Sequence, residues 1–254
     1  MSTKKRIKNL ELKIKELKAT IEYDNNIIFK YLTEGIELHP SYCLERLVVS
    51  DYKEIKNNPN LPIWYYEHFN RYDFAKELIK KDDNVLDIAC GTGYGSHLIA
   101  EETEAQQVLG VDISETAINF CKKMCKNSNL SFNVGNALDN QFFSASSFNK
   151  IISFETLEHV RESDLKIMLK NYYKWLKKGG TFIGSTPNEE GRPLYQNGKH
   201  TNIHHFKHYT KEEIEKILLD CGFLNIEIIY QNNAIISSKN KRNDSDYFVV
   251  IAKK

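Results

Sequence analysis

Val85-Leu-Asp-Ile-Ala-Cys-Gly-Thr-Gly-Tyr-Gly95 decides how this chain folds. The apolar run Val85 to Ile88 passes directly into three alternating glycines, and Ser96 to Glu102 then reads as a helix. Glycine lets the backbone take positive φ and lets a ligand approach the main chain, while the following helix presents unpaired amides at its first turn. Strand, glycine turn and helix together make a nucleotide-binding turn. Asp112 strengthens that reading. It ends the next apolar run, Val108 to Val111, about twenty residues on, where a carboxylate accepts hydrogen bonds from both ribose hydroxyls. The dinucleotide fingerprint GxGxxG is not met, because Ser96 stands where its third glycine belongs, which argues against a dehydrogenase.

Outward from this turn, the short apolar runs Leu130 to Val134, Ile151 to Phe154 and Thr181 to Gly184 alternate with helical segments. That order implies a parallel sheet with helices on both faces. Ile226 to Tyr230 and Tyr247 to Ile251, separated by the polar stretch Asn232 to Asp246, are expected to pair antiparallel and end the sheet. Lys211 to Asp220 reads as a helix. Upstream, Trp64 to Lys80 sets Tyr65, Phe69, Tyr72, Phe74 and Leu78 among charged residues, as in a helix lying over a sheet edge and roofing a pocket. Gly35 to Pro62 mixes Pro, Asn and Gly with aromatics and reads as irregular. Ile7, Leu10, Ile14, Leu17 and Ile21 recur in steps of three and four, a heptad seam of about three repeats that packs on its own subunit or pairs with a second copy. The expected division is an N-terminal helical extension over 1–63 and one catalytic domain over 64–254.

The bulk numbers narrow the function. With 254 residues, 41% apolar and 27% charged, the chain can bury a substantial core. Its 35 basic and 34 acidic side chains nearly cancel, so no global field draws it to nucleic acid or to an anionic membrane. No apolar run reaches the roughly 18 residues of a membrane span, and no signal segment follows the first lysines, so a cytoplasmic location is expected. The five cysteines, without a CxxC pair, argue against a disulfide framework or a structural zinc site.

The glycine turn resembles the first motif of the class I S-adenosylmethionine-dependent methyltransferases, which reads much like Asp87-Ile-Ala-Cys-Gly-Thr-Gly93. Further segments of this chain follow in that family's order: Gly135-Asn-Ala137, Ile151 to His159, and Leu176-Lys-Lys-Gly-Gly-Thr-Phe182. The resemblance covers roughly residues 64 to 251. It implies an α/β, Rossmann-like, seven-stranded mostly parallel sheet, with S-adenosylmethionine as cofactor. Carried over by position, Asp87, Ala89, Gly91 and Gly93 would contact the methionine end of the cofactor and Asp112 with Ile113 its ribose and adenine. Asn136 and Ala137 would lie beside the adenine, with Asn136 standing where the family usually has Asp, and Phe154 would border the same site. Arg71, in His68-Phe-Asn-Arg-Tyr72, suits the cofactor carboxylate, because a guanidinium pairs with it in bidentate geometry.

Phe154-Glu-Thr-Leu-Glu-His-Val160 follows the fourth strand, where ligands bind in open α/β folds. If the chain turns helical there, Glu155 shares a face with Glu158 or His159. His200-Thr-Asn-Ile-His-His-Phe-Lys-His-Tyr-Thr210 holds four of the chain's eight histidines. Glu155, Glu158, His159 and a later histidine resemble the site of metal-dependent O-methyltransferases, such as the small-RNA terminal 2′-O-methyltransferases and those of ubiquinone biosynthesis. In those RNA enzymes the last ligand precedes a Phe-Glu-Trp-Thr stretch, so the resemblance, counted back from Thr210, implies His205, with His204 as the neighbouring choice. Two carboxylates and two imidazoles suit Mn²⁺ or Mg²⁺ better than a thiolate-rich zinc site. His204 or His208 would then take the acceptor's proton. Many metal-free relatives carry Leu-Glu-His here, and in that case His159 serves as general base.

The metal reading favours oxygen as the methyl acceptor. Ser185-Thr-Pro-Asn188, Arg192, Lys199 and the histidines after them resemble methyltransferases of capsule and surface-polysaccharide biosynthesis, which implies a small sugar, nucleotide-sugar or phosphorylated acceptor. Arg192 and Lys199 would suit a phosphoryl group. The competing readings are an RNA 2′-O-methyltransferase, against which the balanced charge counts, and a catalytically silent cofactor-binding subunit acting through its heptad helix.

Overall fold

The computed structural model describes Leu47, Val49 and residues 51–197, 199–202 and 204–254. The heptad segment, and with it the pairing of two copies, lies outside these residues. The first described helix, α1 (Tyr52–Asn57), occupies part of the stretch expected to be irregular. Asp51 caps it by accepting from the Lys53 amide at 2.9 Å, and Tyr52 and Ile55, one turn apart, are both buried. Helix α2 (Ile63–Lys76) begins at Pro62, whose fixed φ suits a helix start, and ends four residues before the expected Lys80.

The alternation then runs β1 (Asn84–Ile88), α3 (Tyr94–Glu102), β2 (Gln107–Asp112), α4 (Glu115–Met124), β3 (Leu130–Val134), β4 (Phe148–Ser153), a short 3₁₀ turn (Leu157–His159), α5 (Glu162–Trp175) and β5 (Leu176–Pro187). A hairpin of β6 (Tyr195–Gln196) and β7 (Lys199–His200) stands apart from the main sheet. Then come α6 (Lys211–Asp220), β8 (Leu224–Asn232), β9 (Ile235–Ile236) and β10 (Tyr247–Lys253). Ser114 caps α4 through the Ala117 amide, and Thr210 with Glu213 forms a reciprocal capping box on α6.

The sheet order is β3-β2-β1-β4-β5-β10-β8-β9. Strands β3, β2, β1, β4 and β5 pair in parallel, and β10 enters antiparallel between β5 and β8. The final antiparallel pair is thus as expected, whereas the strand number is eight rather than seven. The extra strand is β9, which folds back on β8 with Asn232 opposite Ile235. Asn233 takes positive φ in that turn, a conformation asparagine tolerates better than most residues. β1, flanked on both sides, is buried from Val85 to Ile88, whereas edge strand β3 buries only Phe132.

Helices cover both faces. Leu165, Met168, Leu169, Tyr172 and Trp175 of α5 join Ile214 and Leu218 of α6 in one apolar layer. Tyr52, Ile55, Tyr65 and Phe69 join Leu98 and Ile99 of α3 in the other. Strands β2, β1 and β4 are parallel neighbours, so the loops after them meet over one edge of the sheet. Among the described residues, no helix is long and apolar enough to cross a membrane. Cys90, Cys121, Cys125 and Cys221 are buried free thiols.

Candidate active site

A cleft of about 540 Å³ opens at that sheet edge. Its floor is the turn after β1, where Ala89, Gly91 and Gly93 all have positive φ. A Cβ on Gly91 would meet nothing within 4 Å, so its main chain faces open space that a ligand can enter. A Cβ on Gly93 would lie 2.7 Å from the Cys121 sulfur and 2.9 Å from the Phe132 ring. Ala89 holds its left-handed conformation without glycine's freedom, at a cost of about 1 kcal/mol. Asp112 pins the turn by accepting from the Gly91 amide and, through its other oxygen, from the Ser114 amide, each at 2.9 Å.

Of the residues expected to hold S-adenosylmethionine, Ala89, Gly91, Asp112, Ile113, Asn136, Ala137 and Phe154 line this cleft. Ile113 is 66% exposed, leaving an apolar surface on the cleft wall that a purine can cover. The Asn136 side-chain oxygen accepts from the Leu138 amide at 2.9 Å, which fixes its amide group at the rim. Asp87 and Gly93 are not on the cleft wall. Asp87 lies beneath the turn, accepting from Tyr72 Oη at 3.1 and 3.2 Å and from Ser96 Oγ at 2.5 Å. Burial pushes its carboxyl up to about 7, against the lowering effect of those two hydrogen bonds. Its work in this structure is to brace the turn.

Arg71 also sits behind the wall. It is fully buried, its Nε donates to Gln231 Oε1 at 2.7 Å, and its guanidinium stacks 4.3 Å from the centroid of Tyr247. Nη1 faces Glu155 Oε1 at 3.5 Å, and neither terminal nitrogen makes a hydrogen bond. Nη1 thus has a carboxylate beside it, and Nη2 is the donor left to meet an anionic group such as the cofactor carboxylate.

The β4 side carries the carboxylates. Glu155 lines the cleft with φ of 48°, a left-handed backbone held by Ser185, whose Oγ accepts from the Glu155 amide at 3.1 Å and donates to Oε1 at 2.8 Å. Such a conformation costs on the order of 1–3 kcal/mol and persists where the surroundings enforce it. Glu158 is fully buried in the 3₁₀ turn. Its Oε2 accepts from Thr186 Oγ1 at 2.9 Å, its Oε1 has no hydrogen-bond partner, and His159 Nε2 stands 3.9 Å from that oxygen. Burial, reinforced by the charge of Glu155, holds the Glu158 carboxyl well above the usual carboxylate range.

One ligand atom each from Glu158, His159 and His205 lie within 4.8 Å of one another. The expected Glu155 is a neighbour of this group but not a member. The histidine segment is stitched to the 3₁₀ turn by the Phe206 amide, which donates to the Glu158 carbonyl at 2.7 Å. His159 Nδ1 donates to the His204 carbonyl at 3.2 Å, which leaves the lone pair of a neutral ring on Nε2.

The two expected proton acceptors do not line the cleft. His204 is exposed and contributes its carbonyl. His208 is sealed, with both ring nitrogens bonded, and burial lowers its pKa. Arg192 and Lys199 are also off the wall: Arg192 hydrogen-bonds the Tyr247 hydroxyl and Lys199 lies exposed on β7. Arg161 lines the cleft instead, with its guanidinium 5.7 Å from the ring of the exposed Phe206. The position of Arg161, two residues past His159, was the available signal. Leu47 also reaches the cleft, and its carbonyl accepts from Thr92 Oγ1 at 3.0 Å.

The comparisons with known proteins agree with this geometry. Residues 79–240 match the family described as "Methyltransferase domain". Phosphoethanolamine N-methyltransferase 1 of Triticum aestivum is 29% identical over 166 residues, covering 60% of this chain and 31% of the wheat protein. A probable S-adenosylmethionine-dependent methyltransferase of Mycobacterium tuberculosis is 28% identical over 174 residues, covering 66% of this chain and 59% of that one. This chain therefore matches about a third of the wheat protein's length and under two thirds of the mycobacterial one. In fold, it is similar to a SAM-dependent methyltransferase from Archaeoglobus fulgidus, with a TM-score of 0.59, 19% identity, and coverage of 80% of this chain and 99% of that one.

Proposed function

The chain belongs to the methyltransferase-domain family, and from that premise we propose that it is an S-adenosylmethionine-dependent enzyme that methylates an oxygen of a small acceptor with the help of a divalent cation held by Glu158, His159 and His205. The observation that carries this reading is Glu158 Oε1: a fully buried carboxylate oxygen with no hydrogen-bond donor, facing an imidazole Nε2 at 3.9 Å. A buried unpaired carboxylate is costly, and a cation is the partner that offsets this cost. The donor set, one carboxylate and two imidazoles, suits Fe²⁺, Mn²⁺ or Zn²⁺ better than Mg²⁺, which prefers oxygen ligands.

Methyl transfer from a sulfonium is an in-line displacement, so the chain's main task is alignment. The turn at Gly91 and the carboxylate of Asp112 would hold the donor, and Nη2 of Arg71, which makes no hydrogen bond, would take its carboxylate. On the β4 side, Glu158, His159 and His205 would hold the cation, and Glu155 would accept a hydrogen bond from the acceptor hydroxyl and take its proton as the O–CH₃ bond forms and the S–CH₃ bond breaks to leave a neutral thioether. When bound, the cation supplies Lewis-acid polarisation of the acceptor hydroxyl. Arg161 and Phe206 flank the place where the rest of the acceptor would lie, a guanidinium and an aromatic face that suit a phosphorylated compound, a sugar or a nucleotide sugar. A role in capsule or surface-polysaccharide biosynthesis would follow from such an acceptor.

His159 favours a second reading, metal-free transfer. Its ring lines the cleft and its Nε2 carries the lone pair, so it would act as general base towards an amine or hydroxyl. The wheat relative, by name an N-methyltransferase of a phosphorylated amine, belongs with that alternative. Turnover of S-adenosylmethionine over sugars, nucleotide sugars, phosphoethanolamine, phenols and short RNA, each with Mn²⁺, Mg²⁺ or chelator, separates the two. Loss of turnover with chelator and in Glu158→Ala is expected, and unaffected turnover in both assigns the chemistry to His159 alone.

A further inference from the structure

His208 touches neither the cleft nor any member of the site except His205, yet both of its ring nitrogens are engaged at 2.7 Å. Nδ1 meets the Arg192 carbonyl and Nε2 meets His205 Nδ1. The far nitrogen of His205, Nε2, meets Asn202 Nδ2 at 2.8 Å. Proton positions along this row follow from either end. A carbonyl only accepts, so His208 Nδ1 carries the proton, and Nε2 of the neutral ring accepts. His205 Nδ1 must then donate, which puts the lone pair of His205 on Nε2. From the other end, Asn202 Oδ1 accepts from the His204 amide at 3.0 Å, so the amide nitrogen is the group that faces His205 and donates to Nε2. Both ends demand the same tautomer.

We propose that His208 is a positioning residue: anchored on the Arg192 carbonyl, it holds the proton of His205 on Nδ1 and so keeps the lone pair on Nε2, where the Asn202 amide covers it. No change of charge is involved. A ring nitrogen that carries a proton cannot ligate a cation, and a ligating histidine is oriented by the partner of its other N–H. Here that partner is a second imidazole, and a carboxylate, that of Glu189, stands one ring further out, 3.8 Å from His208 Nδ1. The use of the lone pair for a cation rests on the function proposed above. The tautomer itself does not.

The test starts with the cation-free protein, labelled with ¹⁵N in its histidines. The expected spectrum shows His205 protonated on Nδ1 and bare on Nε2, and a proton on Nε2 overturns the proposal without any variant. His208→Leu removes the acceptor and is expected to mix the two tautomers and to weaken Mn²⁺ binding about 10- to 100-fold. His208→Gln offers an amide oxygen in place of Nε2 and is expected to restore both. Asn202→Ala uncovers Nε2 and is expected to tighten Mn²⁺ binding roughly fivefold, the equivalent of one released hydrogen bond. A Leu variant that keeps the native tautomer and affinity overturns the positioning role. If no variant and no wild-type sample binds Mn²⁺ while the tautomer responds as described, His208 keeps its role and the cation-dependent function fails.

Discussion

Tyr72 lies across Gly95 so closely that a Cβ at position 95 would fall 2.1 Å from its ring. The same side chain donates to the Asp87 carboxylate at 3.1 Å, so α2, the turn after β1 and the start of α3 meet at one aromatic ring. Gly95→Ala is therefore expected to push Tyr72 off Asp87 and to destabilise the protein by about 1–3 kcal/mol. Gly179→Ala is the control, because a Cβ there meets nothing within 4 Å and only the positive φ resists it. Thermal melts should show the larger drop at position 95, together with weaker cofactor binding that position 179 does not share. Equal losses would remove the packing argument.

Asp112 holds two amides while it faces the cleft. Asp112→Ala removes both anchors and the expected ribose contact, and hydrogen bonds to a charged group contribute about 1.5–3 kcal/mol each. Titration calorimetry should show S-adenosylmethionine binding weakened about 10- to 100-fold. An unchanged affinity would place the ribose elsewhere.

Asp87 gives the protein a pH-dependent stability of definite sign. Its folded pKa is raised to about 7, so the folded state holds a proton that the unfolded chain has already lost above its ordinary value of 3.8. The stabilising contribution is full below that value and disappears as pH rises to about 7. Asp87→Asn cannot ionise. The difference in melting temperature between variant and wild type should move in the variant's favour from pH 5 to pH 8, whatever constant cost the amide brings. A difference that stays flat across that range means the carboxyl is not raised.

Glu158→Gln separates stability from function. The amide oxygen can still accept from Thr186, and the buried group can no longer acquire the charge that burial disfavours as pH rises. Without added cation, the variant is expected to melt at or above the wild-type temperature at pH 8. Its Mn²⁺-dependent turnover should fall about 100-fold, in line with loss of an oriented ligand. A less stable variant with full turnover would make Glu158 a structural residue.

The parts legible in the sequence are those whose signal is local. The strand, glycine turn and helix over 84–102 and the carboxylate of Asp112 lie within one β-α-β unit, and Glu158 and His159 lie within one turn. Asp87 was assigned to the cofactor by its motif, but the alternation of side chains along β1 turns it beneath the loop towards Tyr72 and Ser96. Helix α1, at six residues, is too short to show a period, and β9 is a two-residue return on β8. The sequence offers His208 as a proton acceptor, but the structure seals it away from the cleft. Its partner is the carbonyl of Arg192, and main-chain atoms leave no mark in the identity of a residue.

The main-chain bond from the Phe206 amide to the Glu158 carbonyl joins two segments that supply the candidate ligands. Any amino acid except proline can make it at position 206, so this contact between the two segments does not depend on which side chains stand at its ends. The same property makes the site a ready host for redesign, since a new donor set at 158, 159 and 205 inherits alignment that it does not have to encode.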